Sequence, residues 1–416
     1  MQRVEISPVV WQYQGLFPSS KSFRELVELL EQVVSLDLKE SSALTRPSSD
    51  VFVVRCTNGH YDGLRRLIGL MAEHGLHFYK SAKTIANLSP KGLIAVDDVV
   101  LIKVNSQWDE RGGTNTDLLK SLIQSILAHP DGFTGEIVVA DNGQAQAGSQ
   151  RTGGNLDWEK SNAEDSSQSV QSVVEAFSGG ARVSSYLWDA ITTTRVKEYF
   201  EGDIEDGFVI KDTSDPVTGI KVSYPKFKTG FGTHISFKMG VWDNARRCYV
   251  KEGLKVISVP VLKPHFIYGV SACVKHYMGV VSDKLTEGRS HRSVGTGGMG
   301  TVLAETRMPD LNVLDCIWVN ANPGKGPRSP YAEATGLNMV LASKDPFALD
   351  YWAAKHILIQ AAKTREHHDL TAIDPDNVKD RAFGNWLRLA LKEVQKAGHS
   401  FTTDEDQISV FISDAR

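Results

Sequence analysis

The sequence predicts an α/β protein whose sheets are mostly parallel and covered by helices. Residues 99–104, 137–140 and 254–262 form strand patterns that are apolar throughout, and helical patterns separate them along the chain. Strands buried on both faces have such continuous apolar runs. The first two runs flank a helical pattern at 118–127, and a strand, helix and strand in this order predict parallel pairing with a right-handed crossover.

The length of 416 residues predicts two lobes with a small antiparallel β insertion between them. We place an N-terminal α/β lobe at 1–190, a β-rich insertion at 191–253 and a C-terminal α/β lobe at 254–416. The insertion is predicted from alternating, turn-rich sequence at 203–249. Further patterns predict helices at 23–30, 61–73 and 383–394, strands at 51–54, 311–319 and 338–342, and a long loop at 144–165.

Composition and charge exclude several classes of protein. Hydrophobic residues make up 41% and charged residues 23%, and the formal net charge is −4. These values are typical of a globular chain and argue against general nucleic-acid binding, which needs a basic surface. The start of the chain has no signal-like pattern, and no apolar run is long enough to span a membrane. We therefore expect a cytoplasmic protein without nucleic-acid or membrane partners.

The four cysteines predict free thiols and no iron–sulfur cluster. They are widely separated and form no CxxC pair, whereas local zinc and ferredoxin motifs need closely spaced ligands. The histidines form no HExxH pattern. The sequence leaves open whether a metal or an organic cofactor occupies a central site.

A first candidate ligand site follows the strand at 99–104. Lys103 and Asn105 stand at its carboxyl end, where open α/β sheets place their ligands, and Asp141 ends the next strand. A glycine pair then leads to Thr114 and Thr116 at a predicted helix start, whose amides suit an anion. The alternative is that Thr116 caps the helix and Lys103 is a solvated strand end.

A second and denser cluster follows the strand at 254–262. Lys263 and His265 come directly after it, and Lys275 lies ten residues later on a helix expected to begin near Phe266. A lysine in a partly desolvated pocket can act as a base or a nucleophile because burial lowers its pKa. We take these three as candidate catalytic residues. The alternative is solvated lysines and a His265 that caps the helix.

Four further residues are candidates for ligand binding. Arg289 and His291 lie beside a glycine-rich segment, and guanidinium groups suit carboxylates or phosphates. Asp315 lies inside an apolar strand, where an unpaired carboxylate would be costly. Asp345 precedes a proline-initiated helix. The alternatives are a surface loop for the glycine-rich segment and an N-cap role for Asp345.

Together these motifs resemble the domain of unknown function 362 family. The first half of the resemblance consists of Ile102-Lys103-Val104-Asn105, residues 114–116 and Val138-Val139-Ala140-Asp141. The second half consists of Lys263-Pro264-His265, residues 269–279, Arg289, His291, Leu314-Asp315, Gly326-Pro327 and residues 342–350. The resemblance covers roughly residues 99–356.

The sequence departs from this family at three points. His276 stands where the family usually has asparagine, and Val104 stands where it usually has proline. Many members also have cluster-binding cysteines, which this chain lacks, so the resemblance does not imply electron transfer here. A looser likeness is to the superfamily of the nickel-pincer lactate racemase, whose first domain binds a phosphorylated cofactor at a threonine-rich helix start. That likeness is an analogy of fold.

The family has no assigned activity, so the resemblance implies a site without a reaction. We expect Lys103, Lys263, His265 and Lys275 to lie in one pocket, with Asp315 and Asp345 orienting the cations. The leading hypothesis is an enzyme, isomerase- or racemase-like or associated with oxidoreductases, that acts on a small anionic organic substrate by Lys/His chemistry. The alternative is a non-catalytic binding or carrier protein for a phosphorylated ligand or a metal cofactor. The oligomeric state is not predicted.

Overall fold

The computed structural model describes residues 49–146 and 148–415. The strands in chain order are β1 (Ser49–Arg55), β2 (Tyr79–Lys80), β3 (Leu88–Ser89), β4 (Val99–Lys103), β5 (Glu136–Asp141), β6 (Val183–Leu187), β7 (Arg195–Val196), β8 (Gly207–Ile210), β9 (Ser223–Lys228), β10 (His234–Ser236), β11 (Gly240–Asp243), β12 (Cys248–Val250), β13 (Leu254–Ser258), β14 (Lys263–His265), β15 (Gly269–Ser271), β16 (Leu311–Asn320), β17 (Ala334–Ser343) and β18 (Ile408–Asp414). The α-helices are α1 (Tyr61–Glu73), α2 (Thr116–Leu127), α3 (Val170–Ser178), α4 (Cys273–His276), α5 (Arg289–Arg292), α6 (Gly298–Glu305), α7 (Pro346–Ala353), α8 (Ile359–Thr364) and α9 (Phe383–Lys396). The helix predicted at 23–30 lies outside the described residues.

An eight-stranded sheet forms the centre of the fold, in the order β18-β1-β17-β16-β13-β4-β5-β6. Its neighbouring strands pair in parallel except for the two pairings that β17 makes, with β1 and β16. The prediction of a mostly parallel α/β fold is confirmed. Strands from both predicted lobes contribute to this sheet, since β13 lies directly between β16 and β4.

The region between β6 and β13 forms a second sheet of six strands, in the order β12-β11-β10-β9-β8-β7. Its pairings are antiparallel except for the short β7–β8 contact. The small antiparallel region predicted from the turn-rich sequence is therefore present. No helix among the described residues is long and apolar enough to cross a bilayer.

Two hydrophobic cores cover the two faces of the central sheet. On β4, Val100 and Ile102 belong to the core that contains α1 and α2, whereas Leu101 belongs to the core that contains α6, α7 and α9. Successive side chains of a strand point to opposite faces. A strand covered on both sides therefore needs apolar residues at every position, which explains the continuous runs in the sequence.

The carboxyl ends of the parallel strands meet at one edge of the sheet. Lys103, the last residue of β4, is in register with Ser258 of β13 and Ala140 of β5. Strand β16 begins in register with the end of β13, because Asn312 pairs with Ser258. The remainder of β16 therefore extends beyond this edge.

The predicted strand at 254–262 is shorter than expected. Strand β13 ends at Ser258, and β14 and β15 form a separate antiparallel hairpin in which Lys263 pairs with Ser271. Pro260 and Pro264 lack the amide hydrogen that a continuing central strand must donate, so the strand cannot extend through them. Phe266 accordingly lies in the hairpin turn rather than at a helix start, and the helix that follows is α4.

Candidate functional site

A cavity of about 290 Å³ opens at the carboxyl edge of the central sheet. Its wall includes seven of the residues selected from the sequence, namely Lys103, Asn105, Asp141, Lys263, His265, Lys275 and His291. Other residues of the wall are Gln107, Trp108, Asn142, Gln144, Phe266, Ile267, Ser271, His276, Met278, Gly279 and Pro327. The ends of β4 and β5, the β14–β15 hairpin and helices α4 and α5 thus contribute to one site.

A buried salt bridge between Lys103 and Asp141 forms the floor of the cavity. The Nζ of Lys103 lies 2.7 Å from Oδ1 of Asp141, and both side chains are almost fully buried. The backbone amide and hydroxyl of Ser106 donate to Oδ2 of Asp141 at 2.8 and 3.0 Å. Burial lowers the pKa of Lys103, and the charge of Asp141 opposes that shift. The two charges of the pair cancel, and both oxygens of the Asp141 carboxylate accept hydrogen bonds from the protein.

Gly279 packs directly against this salt bridge. A Cβ at this position would lie 2.4 Å from Oδ1 of Asp141 and 2.5 Å from Nζ of Lys103. Both distances are below van der Waals contact, so glycine is required for the segment after α4 to approach the floor. The β4–β5 edge and the segment carrying Lys275 are therefore packed together without a gap.

Two buried lysines above the floor lack a carboxylate partner. Lys263 donates from Nζ to the carbonyl oxygen of Gly112. The Nζ of Lys275 makes no hydrogen bond or ion pair with any described residue, and it lies 5.4 Å from the centre of the Tyr268 ring. Burial lowers the pKa of Lys275 to about 8; burial together with the charge of Lys275 lowers the pKa of Lys263 to about 7.

His265 presents a hydrogen-bond donor to the cavity. The backbone amides of Ile267 and Tyr268 donate to its Nδ1 at 3.2 and 3.4 Å. Burial lowers the pKa of His265, and the charges of Lys275 and His291 lower it further. The ring is therefore neutral, and because Nδ1 accepts, its proton resides on Nε2.

In His291, unlike His265, Nδ1 faces a hydrogen-bond acceptor. The Nδ1 of His291 lies 2.8 Å from Oδ2 of Asp283, and its backbone amide donates to Oδ1 of the same carboxylate at 3.1 Å. Burial opposes the ionisation of Asp283, but the hydrogen bonds and charge of His291 leave its pKa below the usual value. Asp283 was missed by sequence reasoning, since a spacing of eight residues across a loop indicates no contact.

Asp350 positions the helix that carries Lys275. Its carboxylate accepts from the backbone amides of Cys273 and Val274 at 2.7 and 2.9 Å, which are the first amides of α4. Burial raises the pKa of Asp350 to about 7, and these hydrogen bonds oppose the shift. The sequence shows Asp350 only as a helical residue near Asp345, so its role as a long-range cap could not be predicted.

His276 joins α4 to the ends of two sheet strands. Its Nε2 lies 2.8 Å from the carbonyl oxygen of Val104, and its Nδ1 lies 2.8 Å from Oγ of Ser258. A carbonyl only accepts, so Nε2 donates to it and Nδ1 accepts from the serine. Burial lowers the pKa of His276 far below its usual value. The histidine that departs from the family pattern is thus a neutral cross-link whose two ring nitrogens are both occupied.

At the start of α2, where we expected an anion, protein groups occupy the backbone amides of Thr114, Asn115 and Thr116. The amide of Asn115 donates to Oδ2 of Asp315 at 2.9 Å, and the amide of Thr116 donates to the carbonyl of Asn162 at 2.7 Å. The carboxylate of Asp315 therefore takes the place that we assigned to a ligand. Burial raises the pKa of Asp315 to about 6, and its hydrogen bonds oppose the shift.

Thr114 and Thr116 do not line the cavity, which corrects their assignment as ligand-binding residues. The hydroxyl of Thr114 donates to the carbonyl of Val259 and accepts from the amide of Asn105, both at 2.7 Å. The hydroxyl of Thr116 donates to the carbonyl of Gln168 at 2.9 Å. The helix cap is Asn115 rather than Thr116. The hydroxyls of these threonines bond to neighbouring segments of the protein. The sequence alone cannot distinguish this role from ligand binding.

Arg289 and Asp345 also lie outside the cavity wall. Arg289 is exposed and donates to the hydroxyl of Ser214 at 3.1 Å. Residues two apart on a helix point to different sides, so α5 directs His291 but not Arg289 to the cavity. Asp345 caps α7 by accepting from the amides of Phe347 and Ala348. The structure therefore shows Asp345 as an N-cap, which was the alternative to a role in the ligand site.

The cysteines are free thiols in two different environments. Cys56 and Cys248 are exposed, whereas Cys273 and Cys316 are buried. Burial raises the pKa of both buried thiols. Among residues 49–146 and 148–415, no group of three or more His, Cys, Asp or Glu side chains could hold a metal ion. The absence of an iron–sulfur cluster stays a prediction.

Comparisons with known proteins identify one domain. No curated protein and no solved structure matches the chain. Residues 247–355 match the family model described as Domain of unknown function (DUF362). The matched segment contains Lys263, His265, Lys275 and His291, and it excludes the Lys103–Asp141 floor. The resemblance found in the sequence is therefore confirmed over this segment.

Proposed function

We propose that this chain is an enzyme whose cavity binds a small anionic organic molecule and acts on it by Lys/His proton transfer or carbonyl polarisation. The observation that carries the proposal is the unpaired amine of Lys275. A buried ammonium without a counter-ion is costly, and a bound carboxylate or phosphate would relieve that cost. The position of Lys275 in the cavity wall supports a ligand as the missing partner.

The charge distribution around the cavity supports an anion rather than a cation. Asp141 is paired with Lys103, and Asp283 is bonded to His291. The positive charge that remains available belongs to Lys263 and Lys275. The neutral His265 adds a hydrogen-bond donor to the same wall. A ligand with one anionic group and one neighbouring oxygen would match these donors.

Two features favour an enzyme over a carrier. Lys263 and Lys275 have pKa values of about 7 and about 8, which are close to the range in which acid–base groups operate most effectively. The helix start after β4 gives little support to a carrier for a phosphorylated ligand, because its amides are bonded to the protein itself. We also keep a cytoplasmic location as a proposal, since the scattered cysteines are typical of a reducing compartment.

The proposal can be tested with a pool of small anionic metabolites and the purified protein. Mass spectrometry should find a retained anionic ligand, and one component of the pool should change with time. Lys275→Met should lose both effects because it keeps the side-chain length and removes the charge. Lys284→Met, at an exposed lysine, is the matched control and should behave like the wild type. Retention by both variants alike would refute the proposal, and retention without conversion would favour the carrier.

A further inference from the structure

Two of the three histidines in the cavity wall, His265 and His291, present Nε2 to a ligand in opposite hydrogen-bonding roles. His265 accepts two amide hydrogens at Nδ1, so its Nε2 carries a proton and donates. His291 donates from Nδ1 to Asp283, so Nε2 of the neutral ring carries a lone pair and accepts. Neither Nε2 is hydrogen-bonded to any described residue. The hydroxyl of Tyr268, on the hairpin that carries His265, donates to the carbonyl of His291 and links the two elements.

We infer that His265 and His291 act as a donor–acceptor pair on a 2-oxo carboxylate, with His291 removing the proton from the carbon next to the carbonyl. The inference rests on the proposed function and names the substrate class and the base. His265 cannot be the base, because Nδ1 is occupied and Nε2 already carries a proton. His276 is excluded because both of its nitrogens are bonded.

The remaining wall of the cavity fits the other parts of such a substrate. The ammonium groups of Lys263 and Lys275 suit the carboxylate. Phe266 and Ile267, at the hairpin tip, are 66% and 58% exposed and still line the cavity, so they offer an apolar rim for a carbon chain. A volume of about 290 Å³ is at the lower end for ligand sites and limits the substrate to a small molecule.

The proposed step balances without any other reactant. The C–H bond next to the carbonyl breaks, and its proton moves to Nε2 of His291. The electron pair of that bond forms the carbon–carbon double bond, and the carbonyl pair moves to oxygen. The resulting enolate oxygen accepts a hydrogen bond from Nε2–H of His265, and the nearby lysines stabilise its charge. Return of a proton from His291 to carbon completes the cycle, and when the proton on Nε2 first exchanges with heavy water the substrate gains deuterium.

Asp283 is a positioning residue in this arrangement. Its carboxylate fixes the proton of His291 on Nδ1 and leaves the lone pair on Nε2. An asparagine at this position could donate to Nδ1 instead and would then favour the tautomer with the proton on Nε2. Asp283→Asn would remove the basic lone pair from Nε2 of His291 and keep the histidine in place. The variant therefore distinguishes a role of Asp283 in setting the tautomer from a role in packing.

The tautomers can be read directly in protein labelled with ¹⁵N-histidine. Two-bond ¹H–¹⁵N correlations, assigned with His265→Gln and His291→Gln, should show the proton of His265 on Nε2 and that of His291 on Nδ1. Asp283→Asn should move the proton of His291 towards Nε2, and Asp283→Glu should restore Nδ1 at least in part. The opposite tautomer at either histidine of the wild type would overturn the assignment.

Deuterium exchange tests the substrate class and the base. Pyruvate, 2-oxobutyrate, oxaloacetate and 2-oxoglutarate are incubated separately with the protein in heavy water, and incorporation is followed by ¹H NMR. The wild type should exchange at least one of them, and His291→Gln should lower that rate about 10²–10⁴-fold, the usual contribution of a general base. Exchange that survives in His291→Gln but is lost in Lys263→Met would overturn the base. No exchange by a wild type that still retains an anionic ligand would overturn the substrate class, whereas failure to retain any anion would refute the proposed function instead.

Discussion

The two lysine-bearing strand ends of this protein have similar sequences and opposite environments. After β4, Lys103 is bonded to Asp141, and the following helix start is bonded to Asp315. After β13, Lys263 and Lys275 have no carboxylate partner. Both regions contain lysine, polar residues and a nearby helix start. The fold thus bonds the polar groups of the first region to one another, whereas it leaves the ammonium groups of the second region without a carboxylate among the described residues.

Under the proposed function, the first region contributes to stability and the second binds the ligand. In a buried, fully hydrogen-bonded ion pair each charge stabilises the other. Removal of one partner leaves the other charge buried and unpaired, which lowers the free energy of unfolding. A buried amine without a partner lowers stability until a ligand binds. The two regions should therefore respond in opposite directions to the same substitution.

Lys103→Met should have the largest effect. It leaves the carboxylate of Asp141 buried without its cation, and loss of one member of such a pair typically costs about 3–5 kcal/mol. The free energy of unfolding, measured by urea denaturation, should fall by that amount. Lys83→Met is the matched control, because the Lys83 side chain is 67% exposed and its pair with Asp131 should contribute at most about 1 kcal/mol. Equal losses of unfolding free energy in the two variants would mean that the buried Lys103–Asp141 pair contributes no more to stability than an exposed ion pair.

The fold was more predictable than the site because apolar patterning is local. Strands such as β4 and β5 and helix α1 follow from the periodicity of their own residues. The site instead depends on bonds between distant residues, such as Asp350 with the first amides of α4 and Asp283 with His291. A single sequence contains no signal for these contacts.

The errors at the candidate site have the same origin. Thr114 and Thr116 stand at a helix start that suits an anion, and the sequence could not show that Asp315, two hundred residues later, supplies one. Arg289 and His291 are two residues apart in the motif, and their helix directs only His291 to the cavity. Lys263, His265 and Lys275 were selected correctly as neighbours because one strand end and one short helix place them. Their chemical roles stay predictions.

The second prediction concerns the pH dependence of stability. Burial lowers the pKa of Lys275 to about 8 from its ordinary value of 10.5. Between these values the unfolded chain binds the proton and the folded chain does not, so stability should rise with pH from about 8 to 10.5. Below pH 8 both states are protonated, and the cost of the buried charge is fully present.

Lys275→Met should therefore raise the free energy of unfolding at pH 7 by about 1–3 kcal/mol, as hydrophobic replacement of buried charges often does. It should also flatten the rise between pH 8 and 9.5, leaving the contribution of Lys263. Urea denaturation at several pH values measures both effects. Lys284→Met should keep the wild-type slope. A destabilised Lys275→Met variant would show that Lys275 has a structural partner, and the contrast between the two regions would fail.

The third prediction returns to the helix start that sequence reasoning assigned to a ligand. Thr114→Val keeps the shape of the side chain and removes the hydroxyl, so the amide of Asn105 and the carbonyl of Val259 both lose a partner. Unsatisfied buried groups of this kind cost about 1–3 kcal/mol, and the free energy of unfolding should fall by that amount. The control is Thr134→Val, because Thr134 is exposed and a surface change should stay within about 0.5 kcal/mol. Retention of the anionic ligand by Thr114→Val should match that of the wild type. Lost retention with unchanged stability would instead restore Thr114 to the ligand site and place an anion at the start of α2.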